Sequence, residues 1–329
     1  MCYSNPMQEI TITKANAGQK AEKFVKKYLS EAPLSFIYKT FRKKDVKVNG
    51  HWVNKDFVLS EGDVLRIYVT DAQLADFKKP RPAVKRDLPY KIAYEDENVL
   101  IIDKPKGLLV YGDKTGVRET LGNAVLDYLL LKGEYDPDSS FTPSPAHRLD
   151  RNTSGLVVYG KTDAALKELT ELFKNRDQIE KRYLALLVGD LTSDGEIDKP
   201  LWKNAETGRV YVKSLAQGGK TALTRYKVKK RYGDYTLVEA ELVTGRTHQI
   251  RVHFASIGHP LVGDEKYGDF ADCRKVRSLT GLESQFLHAS SISFKDTKGP
   301  LSKLNGKTIQ SELPEFLQSV IETLTGTHA

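Results

Sequence analysis

The sequence predicts an α+β protein with a small α+β unit followed by a large unit built on a mainly antiparallel, mixed sheet. After residue 90, long strand-like stretches follow one another with few helices between them, and this pattern favours antiparallel pairing over a doubly wound sheet. Residues 76–89 combine prolines with a run of Lys and Arg and contain few apolar residues. Such a segment predicts an extended basic linker. We therefore expect domains at residues 8–75 and 90–325.

The small unit is expected to contain two short helices followed by a small sheet. Apolar residues recur at helical spacing in GQKAEKFVKKYLS and again in LSFIYKTFRKK. Asn49-Gly50 then gives a strong hairpin signal, because both residues tolerate the positive φ angles of a tight turn. GDVLRIYV alternates between apolar and polar residues and predicts the closing strand.

The end of the second helix is basic. Residues 39–47 contain five cations, among them Lys39, Arg42 and Lys43, against the single anion Asp45. A solvated helix face is the commoner explanation of such a run. Because these cations lead directly into a hairpin on a very small unit, we favour contact with phosphate groups.

The large unit is predicted to alternate strands with two amphipathic helices. VLIIDKP is typical of a buried strand, and ETLGNAVLDYLLL and DAALKELTELFK are typical of helices. The stretches KRYLALLVG, ALTRYKVKKRY and DYTLVEAELV predict three further strands.

Composition restricts the class of protein. The 329 residues carry a net charge of +8, which favours an anionic partner such as nucleic acid. The two cysteines, Cys2 and Cys273, are too few and too far apart in the sequence to form a disulfide framework or a cysteine zinc site. The seven histidines do not show the spacing of metal ligands. No apolar run is long enough for a signal peptide or a membrane span. We expect a cytoplasmic protein with no cysteine-based metal site and no membrane span.

Three polar segments stand out in the large unit. HRLDRNTSGL, residues 147–156, is a loop with no regular periodicity. EKRYLAL carries Lys181 and Tyr183 into an apolar strand, and GRTHQIRVH begins at Gly245 and includes Arg246. The last segment predicts a helix over residues 246–257 with Gly258 as its end. Asp150 in the loop could be a surface aspartate paired with a neighbouring arginine. Alternatively, a guanidinium such as that of Arg246 could keep a buried Asp150 ionised and orient it for catalysis.

Other classes of site fit less well. A glycosidase needs a second carboxylate at a set separation, and Asp103, the nearest candidate, is more typical of a turn or cap. No serine nucleophile elbow and no glycine-rich phosphate loop is present. His147, His248 and His253 are expected to be hydrogen-bonding scaffold residues, and Lys104 and Lys106 to be solvated or in contact with RNA.

The motifs carry a resemblance over nearly the whole chain. Residues 8–70 resemble an S4 domain, a small RNA-binding module, although KAEKF replaces the typical Arg-Leu-Asp-Lys-Phe of the first helix. HRLDR, KRYLALL and GRTHQIRVH, together with VLIIDKPKGLLV and FLHASSISF, resemble the ribosomal large subunit pseudouridine synthases. Asn152 departs from that pattern, where Asp is common.

The resemblance implies a cofactor-free isomerisation of uridine in structured RNA. Asp150 would be the essential catalytic carboxylate, as nucleophile or base, Tyr183 would stack on the uracil, and Arg246 would pair with Asp150. Further residues would contact the substrate: Arg148, Arg151, Lys181 and Leu287 around the base, and Lys39, Arg42 and Lys43 on the S4-like unit.

The substrate and the partners are implied in the same way. Large-subunit (23S) ribosomal RNA is the expected substrate, free or in a pre-ribosomal particle, for a monomeric protein. A transfer RNA pseudouridine synthase and a non-catalytic RNA-binding factor of ribosome assembly stay open as alternatives.

Overall fold

The computed structural model describes residues 7–32, 34–77, 90–111, 120–136, 139, 141–175 and 177–326. The chain divides into two compact units. One contains the residues up to Asp87 together with Val125–Pro143, and the other contains Leu88–Ala124 and Ser144–Ala329. The inclusion of Val125–Pro143 in the first unit has no counterpart in the domains expected from the sequence.

The described N-terminal part of the first unit pairs short helices with a four-stranded antiparallel sheet of order β1-β4-β2-β3. Its elements are β1 (Met7–Thr11), α1 (Ala21–Tyr28), α2 (Leu34–Arg42), β2 (Val46–Val48), β3 (His51–Trp52), β4 (Val64–Tyr68) and α3 (Asp71–Phe77). The two predicted helices, the hairpin and the closing strand are confirmed, and β1 is an additional strand. Most of the predicted linker, from residue 78 onward, lies outside the described residues, while Asp76 and Phe77 end α3.

The hairpin between β2 and β3 has the turn that its sequence predicts. Asn49 and Gly50 have φ angles of 51° and 84°, the pair of left-handed conformations that a tight two-residue turn requires. The apolar faces of α1 and α2 pack on the sheet, with Val25 and Ile37 almost fully buried. Lys39, Arg42 and Lys43 are exposed, so the basic run is a solvent-facing surface.

The large unit begins with two strands, and the division between the units falls within the helix that follows them in the sequence. The described elements from residue 88 onward are β5 (Ile92–Glu95), β6 (Val99–Lys104), α4 (Leu121–Leu131), β7 (Ser144–Pro145), β8 (Ser154–Gly160), α5 (Asp163–Asn175), β9 (Ile179–Val188), β10 (Gly195–Asp198), β11 (Leu201–Lys203), β12 (Val210–Val212), β13 (Leu223–Arg231), β14 (Tyr235–Leu242), α6 (Gln249–Ala255), α7 (Phe270–Thr280), β15 (Leu287–Phe294), β16 (Thr308–Gln310) and α8 (Glu315–Thr325).

Within the described residues, ten of these strands form one sheet. Its main path is β10-β13-β14-β9-β15-β8-β6-β5, with β16 paired to β15 and β7 paired to β8. Only the β8–β15 pair is parallel among the described pairs of this sheet. The predicted α+β class with a mainly antiparallel, mixed sheet is therefore confirmed.

The apolar faces of the helices explain the packing of this sheet. α5 buries Leu169 and Phe173 against strands that include β6 and β8. At Gly160 a Cβ atom would come within 2.6 Å of the backbone of Leu166, so the end of β8 needs glycine for this close approach. A second core, beneath α7 and α8, contains Val276, Phe286 and Val320.

Two further findings concern cysteine and membrane segments. Cys273 is buried in α7 as a free thiol. Among the described helices, none combines the length and the apolar character that a membrane span requires.

Candidate active site

A cavity of about 500 Å³ opens in the large unit where the loop before β8 meets the segment between β14 and α6. The volume lies in the range of small-molecule binding sites. Among the described residues that line it, Asp150 is the single carboxylate. The cations that line it are Arg148, Lys174, Lys181, Arg246 and Arg251. In the described part of the chain, no cluster of His, Cys, Asp and Glu is arranged to hold a metal ion.

The loop that carries Asp150 is fixed by the loop that follows β6. The Lys104 ammonium, fully buried, donates to the carbonyl oxygens of Pro105, Leu108 and Arg151 at 2.9–3.1 Å. The Gly107 N–H also donates to the Arg151 carbonyl at 3.0 Å. Burial lowers the pKa of Lys104 to about 7, but three carbonyl acceptors match the three N–H donors of the ammonium form. The DKPKG segment therefore serves to hold the Asp150 loop.

Lys104 is thus not solvated and is not placed to contact RNA, contrary to the sequence prediction. Lys106 is half-buried and donates to the carbonyl oxygens of Ser284 and Gln285 at 3.0 and 3.1 Å, and burial lowers its pKa to about 8. Both ammonium groups therefore bond to backbone carbonyls of neighbouring segments.

Ser154-Gly155 continues the loop into β8 and requires close backbone packing. Gly155 has φ +106°, and a Cβ atom there would lie 2.2 Å from the carbonyl oxygen of Ala289 in β15. Beside it, Ser154 Oγ lies 3.0 Å from His288 Nδ1, and His288 Nε2 lies 3.1 Å from Ser311 Oγ, which donates to Asp103 at 2.6 Å. Asp103 is therefore part of a buried hydrogen-bonded chain behind the loop.

The guanidinium that pairs with Asp150 belongs to Arg251. Its Nη1 lies 3.2 Å from Asp150 Oδ2, while its Nε and Nη2 make a bidentate pair with Asp264 at 2.7 and 2.8 Å. Burial alone would lower the pKa of Arg251, but the bonds to Asp264 and the charge of Asp150 raise it above its usual value. Asp264, fully buried, thus fixes the plane of the guanidinium and leaves one edge for Asp150.

The predicted pairing of Arg246 with Asp150 is wrong. The helix α6 begins at Gln249, not at residue 246, because His248 has a left-handed backbone with φ 54° and interrupts the predicted helix. Arg246 donates through Nε to the Thr221 carbonyl at 2.9 Å, and its backbone N–H donates to the side chain of Gln249. A signal for Arg251 existed in the sequence: an arginine between apolar residues of a buried helix requires a carboxylate partner.

His248 also faces the Asp150 carboxylate, although the sequence analysis predicted only a hydrogen-bonding scaffold role for this histidine. Its Nε2 lies 3.7 Å from Asp150 Oδ2, and its Nδ1 lies 2.7 Å from the Tyr267 hydroxyl. That hydroxyl accepts from the Val210 N–H at 3.0 Å, so its own proton is free to bond Nδ1. Burial lowers the pKa of His248 to about 4 against the opposing effect of Asp150. Together these contacts favour a neutral imidazole with its N–H on Nε2, on the side of Asp150.

The other two histidines are scaffold residues, as predicted. His147 stacks on Phe173 and accepts from the Val158 N–H. His253 is fully buried between Thr224 and the Lys199 carbonyl.

Tyr183 and Leu287 form the apolar wall of the cavity. Both are 5% exposed, on the neighbouring strands β9 and β15. In the strand register, Tyr183 lies opposite two small residues, Ala240 of β14 and Ala289 of β15. Lys181 lies two residues away, with its ammonium 5.2 Å from the centre of the Phe173 ring.

The structure brings most of the predicted residues of the large unit together. Asp150, Tyr183 and Arg246 line one cavity with Arg148, Lys181 and Leu287. Arg151 is exposed and does not line it; its Nε donates to the Gly107 carbonyl. Lys39, Arg42 and Lys43 belong to the other unit.

Comparison with known proteins gives a consistent result. The family model described as RNA pseudouridylate synthase matches residues 98–256, which include the Asp150 loop and α6. Ribosomal large subunit pseudouridine synthase C of Yersinia pestis is 34% identical over 322 residues, covering 95% of this chain and 94% of that protein. The protein of the same name from Escherichia coli strain K12 is 34% identical over 291 residues, covering 87% of this chain and 88% of that protein.

Two solved structures share the fold. Human RNA Pseudouridylate Synthase Domain Containing 4 has a TM-score of 0.57 at 24% identity and covers 71% of this chain and 92% of its own. Human RNA Pseudouridylate Synthase Domain Containing 1 has a TM-score of 0.50 at 27% identity and covers 70% of this chain and 94% of its own. With a relative 34% identical over almost the full length of both proteins, the chain belongs to the RNA pseudouridylate synthase family and is an RNA pseudouridine synthase.

Proposed function

We propose that this enzyme isomerises specific uridines to pseudouridine in large-subunit ribosomal RNA, with Asp150 as the essential carboxylate. The relatives that match nearly the full chain are named for the large ribosomal subunit. The observation that carries the residue assignment is the position of Asp150, the one carboxylate among the described residues of a cavity that also contains cations and a buried tyrosine. A glycosidase would need a second carboxylate in this cavity, so this arrangement favours the isomerase.

The reaction leaves the composition of the nucleotide unchanged. The bond between ribose C1′ and uracil N1 breaks, the freed base turns within the site, and C5 bonds to C1′. The proton on C5 leaves and N1 gains a proton. Since the freed base must not escape, a closed pocket with a flat aromatic wall supports this chemistry better than an open surface.

The side chains around Asp150 have distinct roles in this proposal. Asp150 acts as nucleophile at C1′ or as base, and Arg251 supplies the opposite charge that a half-buried carboxylate needs. Tyr183 stacks on the uracil, and Leu287 packs against its edge. Arg148, Lys181 and Arg246, which line the mouth and walls of the cavity, bind the phosphates and the base of the extruded nucleotide.

The first unit supplies a second RNA contact. We assign residues 8–75 to an S4-like domain, joined to the catalytic residues 90–325 by the linker 76–89. Two helices followed by an Asn-Gly hairpin and the exposed cations Lys39, Arg42 and Lys43 support this assignment. Arg151, exposed beside the catalytic loop, contacts the RNA backbone. The enzyme then acts as a cytoplasmic monomer on ribosomal RNA or a pre-ribosomal particle.

The test is pseudouridine mapping on unmodified RNA. The wild-type protein and the Asp150→Asn variant are incubated with transcripts of large-subunit ribosomal RNA and with total transfer RNA, and pseudouridine is located by adduct formation and reverse transcription. We expect new sites in ribosomal RNA with the wild type and none with the variant, at unchanged RNA affinity. New sites in transfer RNA alone would contradict the substrate proposal, and undiminished activity of the variant would contradict the role of Asp150.

A further inference from the structure

A separate hairpin beside the cavity carries exposed aromatic and basic side chains. β11 and β12 form their own two-stranded sheet. On the inner face, Leu201 and Val210 are each 3% exposed and pack with Ala222 and with Val252 of α6. The inner face therefore anchors the hairpin to the large unit.

The outer face carries two rings and a cation; the Tyr211 ring is exposed, while Trp202 and Lys213 are half-buried. Trp202 lies directly opposite Tyr211 in the register, and their ring centroids are 6.2 Å apart. The Lys213 ammonium lies 3.9 Å from the centre of the Trp202 ring, and Tyr211 is 42% exposed. A cross-strand aromatic pair also stabilises a hairpin. This hairpin already has a buried inner face, however, so hairpin stability alone does not require two large rings on its solvent side.

The charge of the segment specifies the kind of partner. Residues 199–220 contain the anion Glu206 and the cations Lys199, Lys203, Arg209, Lys213 and Lys220. Lys199 is bonded to the Ser256 carbonyl and is structural. Exposed rings interleaved with cations are the combination that binds single-stranded nucleic acid, because bases stack on the rings while the cations contact phosphates. An acidic protein surface would use the cations but would have no need of flat ring faces.

The turn end of the hairpin, between β11 and β12, is linked to the active site through hydrogen bonds and ring contacts. The Gly208 carbonyl accepts from Lys266 Nζ at 3.2 Å, and the Arg209 guanidinium lies 5.5 Å from the centre of the Tyr267 ring. The Tyr267 hydroxyl joins the Val210 N–H to His248, whose Nε2 is 3.7 Å from Asp150. An RNA strand with its uridine in the cavity therefore has flanking nucleotides close to the hairpin.

We propose that Trp202, Tyr211 and Lys213 form a stacking site for an unpaired nucleotide that flanks the target uridine. This inference rests on the proposed isomerisation of uridine in RNA. The base of the flanking nucleotide stacks on the rings of Trp202 and Tyr211, and Lys213 contacts its phosphate. Binding there holds the strand after the target uridine has left its own stack.

The first test measures affinity and rate separately. Trp202→Ala, Tyr211→Ala and Lys213→Met are compared with Phe316→Ala, which removes a ring that is 45% exposed on α8, and with Lys298→Met. We expect the hairpin variants to raise the Kd for an active RNA fragment about 5- to 100-fold, with an unchanged single-turnover rate at saturating RNA. The two control variants should leave the Kd unchanged. Hairpin variants with wild-type Kd, or with a reduced saturating rate and wild-type Kd, overturn the proposal.

The second test uses tryptophan fluorescence. The chain contains two tryptophans, so Trp52→Phe leaves Trp202 as the sole reporter. Stacking of a base should quench its emission on RNA binding, and a Trp202→Phe variant should keep most of the affinity. Absence of quenching while RNA binding is verified by filter retention overturns the proposal. If the wild-type protein has no activity on any RNA, the proposed function is refuted, and this outcome is distinct from a failure of the stacking site.

Discussion

At the scale of single residues, the arrangement of charge around Asp150 depends on Arg251. Asp264 bonds the Nε and Nη2 donors of its guanidinium, so Nη1 meets Asp150 in a fixed orientation. A lysine cannot make the bidentate pair and reach Asp150 at the same time. We predict that Arg251→Lys lowers kcat about 100-fold, the scale of loss for a misplaced catalytic group, with little change in the KM for RNA.

The matched control is Arg246→Lys, on the residue that the sequence predicted as the partner. Because Arg246 lines the cavity but is bonded to the Thr221 carbonyl, its substitution should raise the KM more than it lowers kcat. The measurement is steady-state formation of pseudouridine, with thermal unfolding to verify that both variants fold. The opposite pattern, with kcat lost in the Arg246 variant alone, would restore the sequence prediction.

The second residue-level prediction concerns the protonation of His248. Since the Tyr267 hydroxyl bonds Nδ1, the neutral ring should carry its proton on Nε2, and long-range proton–nitrogen spectra distinguish the two forms. We expect the Nε2–H form in the wild type at pH 7, assigned by the loss of its signals in His248→Gln. Tyr267→Phe should shift the ring toward a mixture. An Nδ1–H signal in the wild type would contradict the deduced network.

The same histidine affects stability at acid pH. Its pKa is about 4 in the folded protein and 6.5 in an unfolded chain, so the unfolded state binds more protons between these values. The free energy of unfolding is therefore expected to fall as the pH drops from 6.5 toward 4, and this group has no effect above that range. In urea unfolding experiments, the decrease in the free energy of unfolding from pH 6.5 to 4 should be smaller for His248→Gln than for the wild type. Equal losses would show that other groups account for the pH dependence.

At the scale of elements, the sequence predicted individual helices, strands and turns better than the boundaries of these elements and the contacts between them. The hydrophobic periodicity was sufficient to predict α5 and β9, and the turn residues were sufficient to predict the Asn49-Gly50 hairpin. Each of these elements is determined by its own residues. The start of α6 was misplaced because a left-handed His248 is fixed by tertiary contacts to Tyr267 and Asp150. Arg251 was missed for a related reason: its partner Asp264 lies beyond the helix, and the pairing depends on how the chain folds back.

Gly155 gives an element-level prediction for the parallel junction of β8 with β15. A methyl group there would meet the Ala289 backbone at 2.2 Å, in addition to the strain of φ +106°. We expect Gly155→Ala to reduce the free energy of unfolding by about 2–5 kcal/mol through strain and overpacking together. The control is Gly281→Ala at the end of α7, with φ +73° and no atom within 4 Å of the added methyl group. Denaturant unfolding should show a clearly smaller loss there; equal losses would mean that the close approach to Ala289 is relaxed at little cost.

At the scale of the whole molecule, the proposed site of chemistry lies in the large unit, and a second group of proposed RNA contacts lies in the first unit. The carboxylate, its guanidinium and the aromatic wall line the cavity of the large unit, whereas residues 39–47 of the first unit carry five cations against one anion. In the proposed function, uridine isomerisation depends on the cavity residues, while phosphate contact adds affinity without dependence on base identity. Substitutions in the two units should therefore separate kcat from RNA affinity.

The last prediction tests that separation. Replacing Lys39, Arg42 and Lys43 together with Ala removes three exposed cations, and if each contacts a phosphate, fewer counterions are released on RNA binding. We expect weaker RNA binding and a slope of log Kobs against log salt that is shallower by about 2–3 units, with kcat at saturating RNA unchanged. The control removes the same charge from exposed residues of the large unit, in the triple variant Arg274→Ala, Lys275→Ala and Lys298→Ala. Because general electrostatic attraction falls equally in both triple variants, an equal change in slope would show that net charge alone determines binding. A larger change in slope for the variant of Lys39, Arg42 and Lys43 would indicate that the phosphate contacts lie on the small unit.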